Sequence, residues 1–203
     1  TIMCALLVSA LGKERVIGVG MPGIGQDLHD ADKIAEFFGI RFIEAPVANM
    51  EMSYNRQLFD MMTPQAKMNI PCRLRMVMLY AISQCNNGRV VGTTNLDESL
   101  LGYFTKFGDG AADILPIAKL TKGEVYEASK MIGVIKEIIN RAPSAGLFLN
   151  QKDEDDLNVK YRELDKYLLN QKVSKKDAEI IDYLHKISEH KRKLIPEPKN
   201  FKR

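Results

Sequence analysis

Hydrophobic and polar positions follow two patterns along the first half of the chain. Short β-branched runs at residues 16–21, 40–47 and 89–93 are typical of buried strands. Between them, apolar residues recur every three or four positions at 27–38 and 73–83, which predicts amphipathic helices. Strands that alternate with helices of this length predict an α/β fold, an open parallel sheet with helices on both faces.

The pattern becomes helical and charged in the second half. A short strand at 114–117 and a helix at 121–132 are followed by charged helical segments at 159–169 and 175–193. We therefore predict a helical C-terminal extension and treat residues 1–203 as a single domain. Because the first residues form a helical pattern with no capping residue before it, we also expect the natural protein to begin earlier.

Composition limits the classes of partner. The formal net charge of +3 is too small to indicate a nucleic-acid partner, and the first apolar run is too short to cross a bilayer. The three cysteines show no spacing typical of a disulfide framework or a metal site, which favours a reducing environment. We expect a cytoplasmic protein that binds neither nucleic acid nor a membrane.

Candidate chemistry is concentrated in residues 92–113. Gly92 and Thr93 follow a predicted strand, where parallel sheets bind ligands, and small residues there would let a nucleotide approach the backbone. Asp97 and Glu98 then open a helix, where carboxylates suit the helix dipole. Taken alone this is an ordinary capped helix start, while the functional interpretation makes Glu98 a ligand of Mg²⁺.

The next segment, 102–113, has the composition of a binding loop. It places Lys106, Asp109 and Asp113 among glycines and aromatic residues in an irregular stretch. Unpaired charges beside aromatic side chains have little structural use in a simple connection. We therefore expect this loop to bind a ligand.

These motifs resemble those of the NAD⁺ synthetases, which are N-type ATP pyrophosphatases. The sequence GTTNLDES (92–99) is followed by GYFTKFGDGAADILPIAKLTK (102–122). Further family motifs stand in the same order, namely KMNIPCRLRM (67–76), PSAGL (143–147), DEDDLNVKYRELD (153–165) and EHKR (189–192). The resemblance implies an adenine nucleotide alpha hydrolase-like fold. It also implies ammonia-dependent amidation of deamido-NAD to NAD⁺ through an acyl-adenylate, with release of AMP and pyrophosphate.

The resemblance also assigns roles to individual residues. It implies Mg²⁺ as cofactor, held by Glu98, and ATP as co-substrate, bound by Thr93, Lys122 and Ser144. Residues expected to bind deamido-NAD are Arg73, Lys106, Asp113, His190 and Lys191. Asp109 is a candidate for binding ammonium or accepting its proton. Family members are homodimers, and we expect a homodimer here. Without the resemblance, most of these side chains would be interpreted as solvated surface charges.

One family motif is absent from the sequence. The phosphate-binding loop SGGxDS, whose backbone amides would cradle pyrophosphate, does not occur, and we expect it to precede Thr1 in the natural protein. Two alternatives stay open: another ATP pyrophosphatase, of the GMP synthetase or tRNA-modifying type, or a non-catalytic nucleotide-binding protein without that loop. The sequence FTKFGDGAAD (104–113) argues against the first. A glutaminase domain ahead of the chain is also possible.

Overall fold

The computed structural model describes residues 1–58, 61–140 and 151–197. The first half contains α1 (Ile2–Leu11), a 3₁₀ turn (Lys13–Arg15), β1 (Ile17–Gly20), α2 (His29–Phe38), β2 (Arg41–Glu44), α3 (Ala48–Gln57) and α4 (Pro64–Cys85). The second half contains α5 (Leu96–Leu101), α6 (Lys122–Met131), α7 (Lys136–Ile139), α8 (Asp153–Leu157), α9 (Tyr161–Leu168), α10 (Lys175–Ile187) and α11 (Glu189–Arg192).

Strands β1 and β2 pair in parallel, with Ile17 opposite Arg41 and Gly20 opposite Glu44. The hydrogen bonding continues beyond both strands, because the Val47 N–H donates to the carbonyl oxygen of Pro22 over 3.0 Å. Helix α2 connects the two strands and packs against both of them. The predicted α/β fold with parallel strands is confirmed.

The predicted strands at 89–93 and 114–117 are reduced to one parallel bridge between Val91 and Ile114. The Val90 N–H donates to the carboxylate of Asp113 over 2.7 Å instead of to a neighbouring strand. A side chain thus takes a position that a strand partner would otherwise fill, and regular pairing does not extend past the bridge.

Most predicted helices lie close to their expected positions, but two differ. Helix α4 begins at Pro64, nine residues before the predicted start, because Thr63 caps it by accepting the Ala66 N–H over 3.2 Å. The long helix predicted at 175–193 is divided at Ser188, which separates α10 from α11. Helix α3 was not predicted, because it buries no residue and has no apolar stripe facing a core.

Two clusters of buried side chains hold helices α5 and α6, whose first residues were selected as candidate site residues. In the first, Ile2 and Met3 of α1 and Ile117 pack with residues of α6. The second joins α5 to the helical C-terminal extension through Leu101, Leu157, Val159, Tyr161, Leu164 and Ile181. Helices α5 and α6 therefore belong to different clusters, so the place where both helices begin is held from two sides.

None of the described helices combines the length and the apolar character needed to cross a membrane.

Candidate active site

Helices α5 and α6 begin side by side. Each has a reciprocal cap: Asn95 with Glu98 on α5, and Thr121 with Glu124 on α6. The connecting backbone is also paired, since the Leu96 N–H donates to the carbonyl oxygen of Leu120 over 2.9 Å. The two capped helix N-termini, each with a partial positive charge, are thus brought to one place.

Glu98 and Lys122 form a partly buried ion pair at this position. The Lys122 Nζ donates to Glu98 Oε1 over 3.0 Å, and the two side chains are 15% and 20% exposed. The ammonium also lies 4.7 Å from the centre of the Tyr161 ring. Two residues assigned to ATP and to Mg²⁺ are therefore in direct contact, although they are 24 positions apart in the sequence.

Beneath this pair lie two carboxyl groups that the sequence analysis did not select as a unit. The Lys122 N–H donates to Asp97 Oδ2 over 2.7 Å, and the Gly123 N–H donates to Asp165 Oδ2 over 3.0 Å. Burial, and then the neighbouring Asp165 carboxyl, raises the pKa of Asp97 to about 7. The other oxygen of each carboxyl, Oδ1, has no donor in the described structure. A proton shared between Asp97 and Asp165 supplies the hydrogen bond that two carboxylates would lack.

Tyrosine side chains connect this region to the acidic helix α8. The Tyr161 Oη donates to Asp153 Oδ2 over 2.9 Å, and the Tyr103 Oη donates to Asp156 Oδ2 over 2.8 Å. Burial, followed by these carboxylates, raises the pKa of both tyrosines well above the usual value, so both remain neutral donors. The motif that contains α8 was visible in the sequence, but its contacts were not.

The loop at 102–109 folds against α4. The Thr105 N–H donates to the exposed Asp109 at Oδ1 over 3.0 Å, and the Thr105 hydroxyl donates to Asn69 Oδ1 over 2.8 Å. Arg73 donates through Nε to the carbonyl oxygen of Lys106 over 3.3 Å. Asp109 and Arg73 therefore both contact the backbone of the loop that contains Lys106. Asn69 is a further contact, and its position in the KMNIPCRLRM motif was the signal for it.

Helix α11 closes over the same loop. The Lys191 Nζ donates to the carbonyl oxygens of Gly102 and Phe104, over 2.7 Å each, and the Lys106 Nζ donates to the carbonyl oxygen of His190 over 2.8 Å. Burial lowers the pKa of Lys191, and the nearby Asp109 opposes that shift. The three cationic side chains that the resemblance assigns to deamido-NAD, those of Arg73, Lys106 and Lys191, thus meet at the loop. Lys191 uses two of its three N–H groups on the backbone.

The other predicted residues have different surroundings. The carboxylate of Asp113 accepts a hydrogen bond from the Val90 N–H. Burial, and then the charge of Asp113, raise the pKa of Tyr80. Thr93 is exposed. A Cβ on Gly92 would lie 2.8 Å from the Cβ of Ala112, so a close approach within the protein already favours a glycine there. Ser144 lies outside the described residues.

The carboxylate of Glu98 is the group to consider for Mg²⁺. Its Oε1 accepts from Lys122, and its Oε2 accepts the Asn95 N–H over 3.1 Å. In the described ranges no group of three or more His, Cys, Asp or Glu side chains is arranged to hold a metal. One carboxylate with a remaining lone pair fits a Mg²⁺ ion that is held mainly by phosphates and water.

Comparisons with known proteins show the family of the chain. The family model for NAD synthase matches residues 1–196. An NH₃-dependent NAD⁺ synthetase from Malacoplasma penetrans is 44% identical, over 95% of this chain and 79% of that protein. An NMN synthetase from Francisella tularensis superposes with a TM-score of 0.93 at 37% identity, over 98% of this chain and 84% of that one.

A second solved structure agrees in fold. The NH₃-dependent NAD synthetase from Campylobacter jejuni superposes with a TM-score of 0.78 over 98% of this chain and 84% of that one, at 23% identity. The family match covers nearly the whole chain, and the two solved structures share its fold over 98% of this chain. The chain belongs to the NAD synthase family.

Proposed function

We propose that this protein is a ligase that amidates deamido-NAD (nicotinic acid adenine dinucleotide) with ammonia to give NAD⁺, at the expense of ATP. The observation that carries the proposal is the partly buried pair of Lys122 and Glu98, set between two helix N-termini in a chain of this family. Cations are among the groups that stabilise phosphate charge in a reaction of this kind.

In the first step the carboxylate of the nicotinate ring must be activated, because a carboxylate is a poor electrophile. Its oxygen forms a bond to the α-phosphorus of ATP while the bond from that phosphorus to the bridging oxygen breaks, which gives an acyl-adenylate and pyrophosphate. The role of Lys122 is to bind phosphate oxygens as negative charge grows on the leaving group. Thr93 and Ser144 are proposed as further ATP contacts.

Glu98 is the residue proposed to hold Mg²⁺, and its contact with Lys122 keeps both groups at one place. The bound ion supplies charge neutralisation on the phosphates. The Lys122 ammonium has three N–H groups and donates one of them to Glu98. It can therefore also donate to a phosphate oxygen while it stays at the site.

In the second step ammonia attacks the acyl carbon and AMP leaves. The exposed carboxylate of Asp109 is proposed to bind ammonium or to accept the proton that the new amide must lose. Deamido-NAD is proposed to lie against the loop at 102–109, where its phosphates would meet the cationic side chains of Arg73, Lys106 and Lys191. His190, whose carbonyl oxygen accepts from Lys106, is proposed as a further contact. Asp113 is kept as a further candidate contact for the dinucleotide.

The test is an assay of the full-length natural protein with ATP, ammonium and deamido-NAD. We expect NAD⁺ and AMP to form in equal amounts, and no AMP release when xanthosine monophosphate replaces deamido-NAD. AMP release with xanthosine monophosphate alone would favour a GMP synthetase, and tight nucleotide binding without turnover would favour a non-catalytic protein.

The resemblance to the NMN synthetase supports a second candidate, amidation of the corresponding mononucleotide. The TM-score of 0.93 with that enzyme exceeds the 0.78 obtained with an NH₃-dependent NAD synthetase. The kcat/KM values for nicotinic acid mononucleotide and deamido-NAD, measured with the same preparation, distinguish the two. A value at least about tenfold higher for the dinucleotide would support the first proposal.

Two further features of the family are part of the proposal. We expect a homodimer in the cytoplasm, and light scattering of the full-length protein should give twice the chain mass. A monomeric mass at working concentration would contradict that expectation.

A further inference from the structure

The aromatic ring of Tyr161 lies against the ammonium of Lys122. The Lys122 Nζ, on α6, is 4.7 Å from the centre of the Tyr161 ring, on α9. Tyr161 is only 6% exposed. An ammonium is attracted to the face of an aromatic ring, and the attraction is stronger where water is excluded. Lys122 therefore has two partners of different chemistry, the carboxylate of Glu98 and this ring.

The position of the ring is itself fixed at two points. Its hydroxyl donates to Asp153 over 2.9 Å, and the Tyr161 backbone N–H donates to Glu154 Oε1 over 3.0 Å. Asp153 is 4% exposed, so the acceptor is held within the protein as well. Since the ring also belongs to the core cluster of the C-terminal extension, it forms a rigid surface beside a flexible lysine.

A lysine side chain has four rotatable bonds, and an ion pair with one carboxylate leaves much of that freedom. In the observed position beside Glu98 the ammonium already contacts the ring, and a move to a phosphate oxygen would not require it to leave the ring. A neutral π-face can hold the ammonium without competing with a phosphate for its N–H groups. The ring is thus suited to keep the lysine at the site during turnover.

We propose that Tyr161 is a positioning residue that holds the Lys122 ammonium beside Glu98 for binding of the ATP phosphates. The proposal rests on the role proposed above for Lys122. Tyr161 acts through Lys122 and not on the substrates directly.

The first test compares Tyr161→Phe with Tyr161→Leu in the full-length protein. Phenylalanine keeps the ring and loses the bond to Asp153, so the KM for ATP should change by no more than about twofold; leucine keeps an apolar side chain without a π-face and should raise it about tenfold. Tyr167→Phe is the matched control, because Tyr167 lies on the same helix and donates to Asp182. Equal KM values for the two Tyr161 variants would overturn the proposal.

A second test avoids any change of shape. Phenylalanine analogues with an increasing number of ring fluorines, incorporated at position 161, weaken the negative face of the ring and leave its packing nearly unchanged. We expect the KM for ATP to rise stepwise with fluorine number while kcat changes little. A KM that does not depend on fluorine number would overturn the proposal even if the leucine variant fails to fold.

A double variant separates this inference from the proposed function. Lys122→Met should raise the KM for ATP, and adding Tyr161→Leu should have no further effect, because the ring acts through the lysine. An additional loss in the double variant would overturn the positioning role alone. An unchanged KM in Lys122→Met would instead contradict the ATP-binding role of Lys122 and, with it, the inference.

Discussion

Gly123 is a glycine because a carboxylate occupies the space that a side chain would need. A Cβ at this position would lie 2.4 Å from Asp165 Oδ2, which accepts the Gly123 N–H over 3.0 Å. The neighbouring Lys122 depends on the same first turn of α6 for its direction. A single residue without a side chain therefore allows the buried carboxyl pair to reach the helix.

We predict that Gly123→Ala destabilises the protein. The methyl group would displace Asp165 from the helix N-terminus, and the loss of a buried hydrogen bond to a charged group costs about 1–3 kcal/mol. Helix propensity alone predicts the opposite sign, a gain of about 1 kcal/mol. Urea denaturation gives the free energy of unfolding, and a more stable alanine variant would show that Asp165 is not held as described.

At the level of the element, α6 has a side-chain acceptor for each of its first three N–H groups. Asp97 accepts from Lys122, Asp165 accepts from Gly123, and Thr121 accepts from Glu124 over 3.3 Å. These donors have no partner within the helix, so the caps satisfy them fully. Two of the acceptors come from α5 and α9, and α6 is thereby fixed to both helices.

The carboxyl pair makes the stability of this element depend on pH. The pKa of Asp97 rises from 3.8 to about 7 on folding, so between these values the folded state binds more protons than the unfolded state. The free energy of unfolding should therefore be largest at the low end of this window and fall as pH rises towards about 7.

The variant Asp97→Asn should reduce that decline, because an amide can accept the Lys122 N–H and donate to Asp165 without titrating. Unfolding in urea, repeated from about pH 5 to about pH 8, measures the slope. Asp155→Asn is the matched control, since Asp155 is an exposed carboxylate in the first turn of α8. If Asp97→Asn keeps the full wild-type slope, the proton is not held by this pair.

Across the whole molecule, distant segments meet at the loop at 102–109. Helix α4 contributes Asn69 and Arg73, and α11 contributes Lys191, which is 89 positions from Gly102. Gly102 has a left-handed backbone (φ 64°), and a Cβ there would lie 2.4 Å from Ser188 Cβ. The C-terminal extension is therefore a structural part of the candidate substrate site.

We expect Lys191→Met to loosen the loop. The carbonyl oxygens of Gly102 and Phe104 would lose their donor, so amides near 102–110 should exchange hydrogen faster and the KM for the nicotinate nucleotide should rise about tenfold. Lys186→Met, an exposed lysine on α10, is the control. Unchanged exchange in the Lys191 variant would show that α11 does not hold the loop.

The sequence by itself determined the elements and the motifs. Periodicity gave β1, β2 and most helices, because burial on one face imposes a period that is visible in the residues. Motif order indicated the family, and Glu98 and Lys122 were selected by their places in it. The segment around Val91 was predicted as a full strand but forms a single bridge. The hydrogen bond from the Val90 N–H to the Asp113 carboxylate, which takes the place of strand pairing, cannot be seen in a local pattern.

Only the tertiary structure decided which of these groups touch. The contacts of Lys122 with Glu98 and Tyr161, and the Asp97–Asp165 pair, join residues that lie far apart along the chain. Hydrophobic periodicity specifies which face of an element is buried, but not which element it packs against. The pKa of a carboxyl is likewise set by burial and by neighbouring charge, which exist only once the helices have packed together.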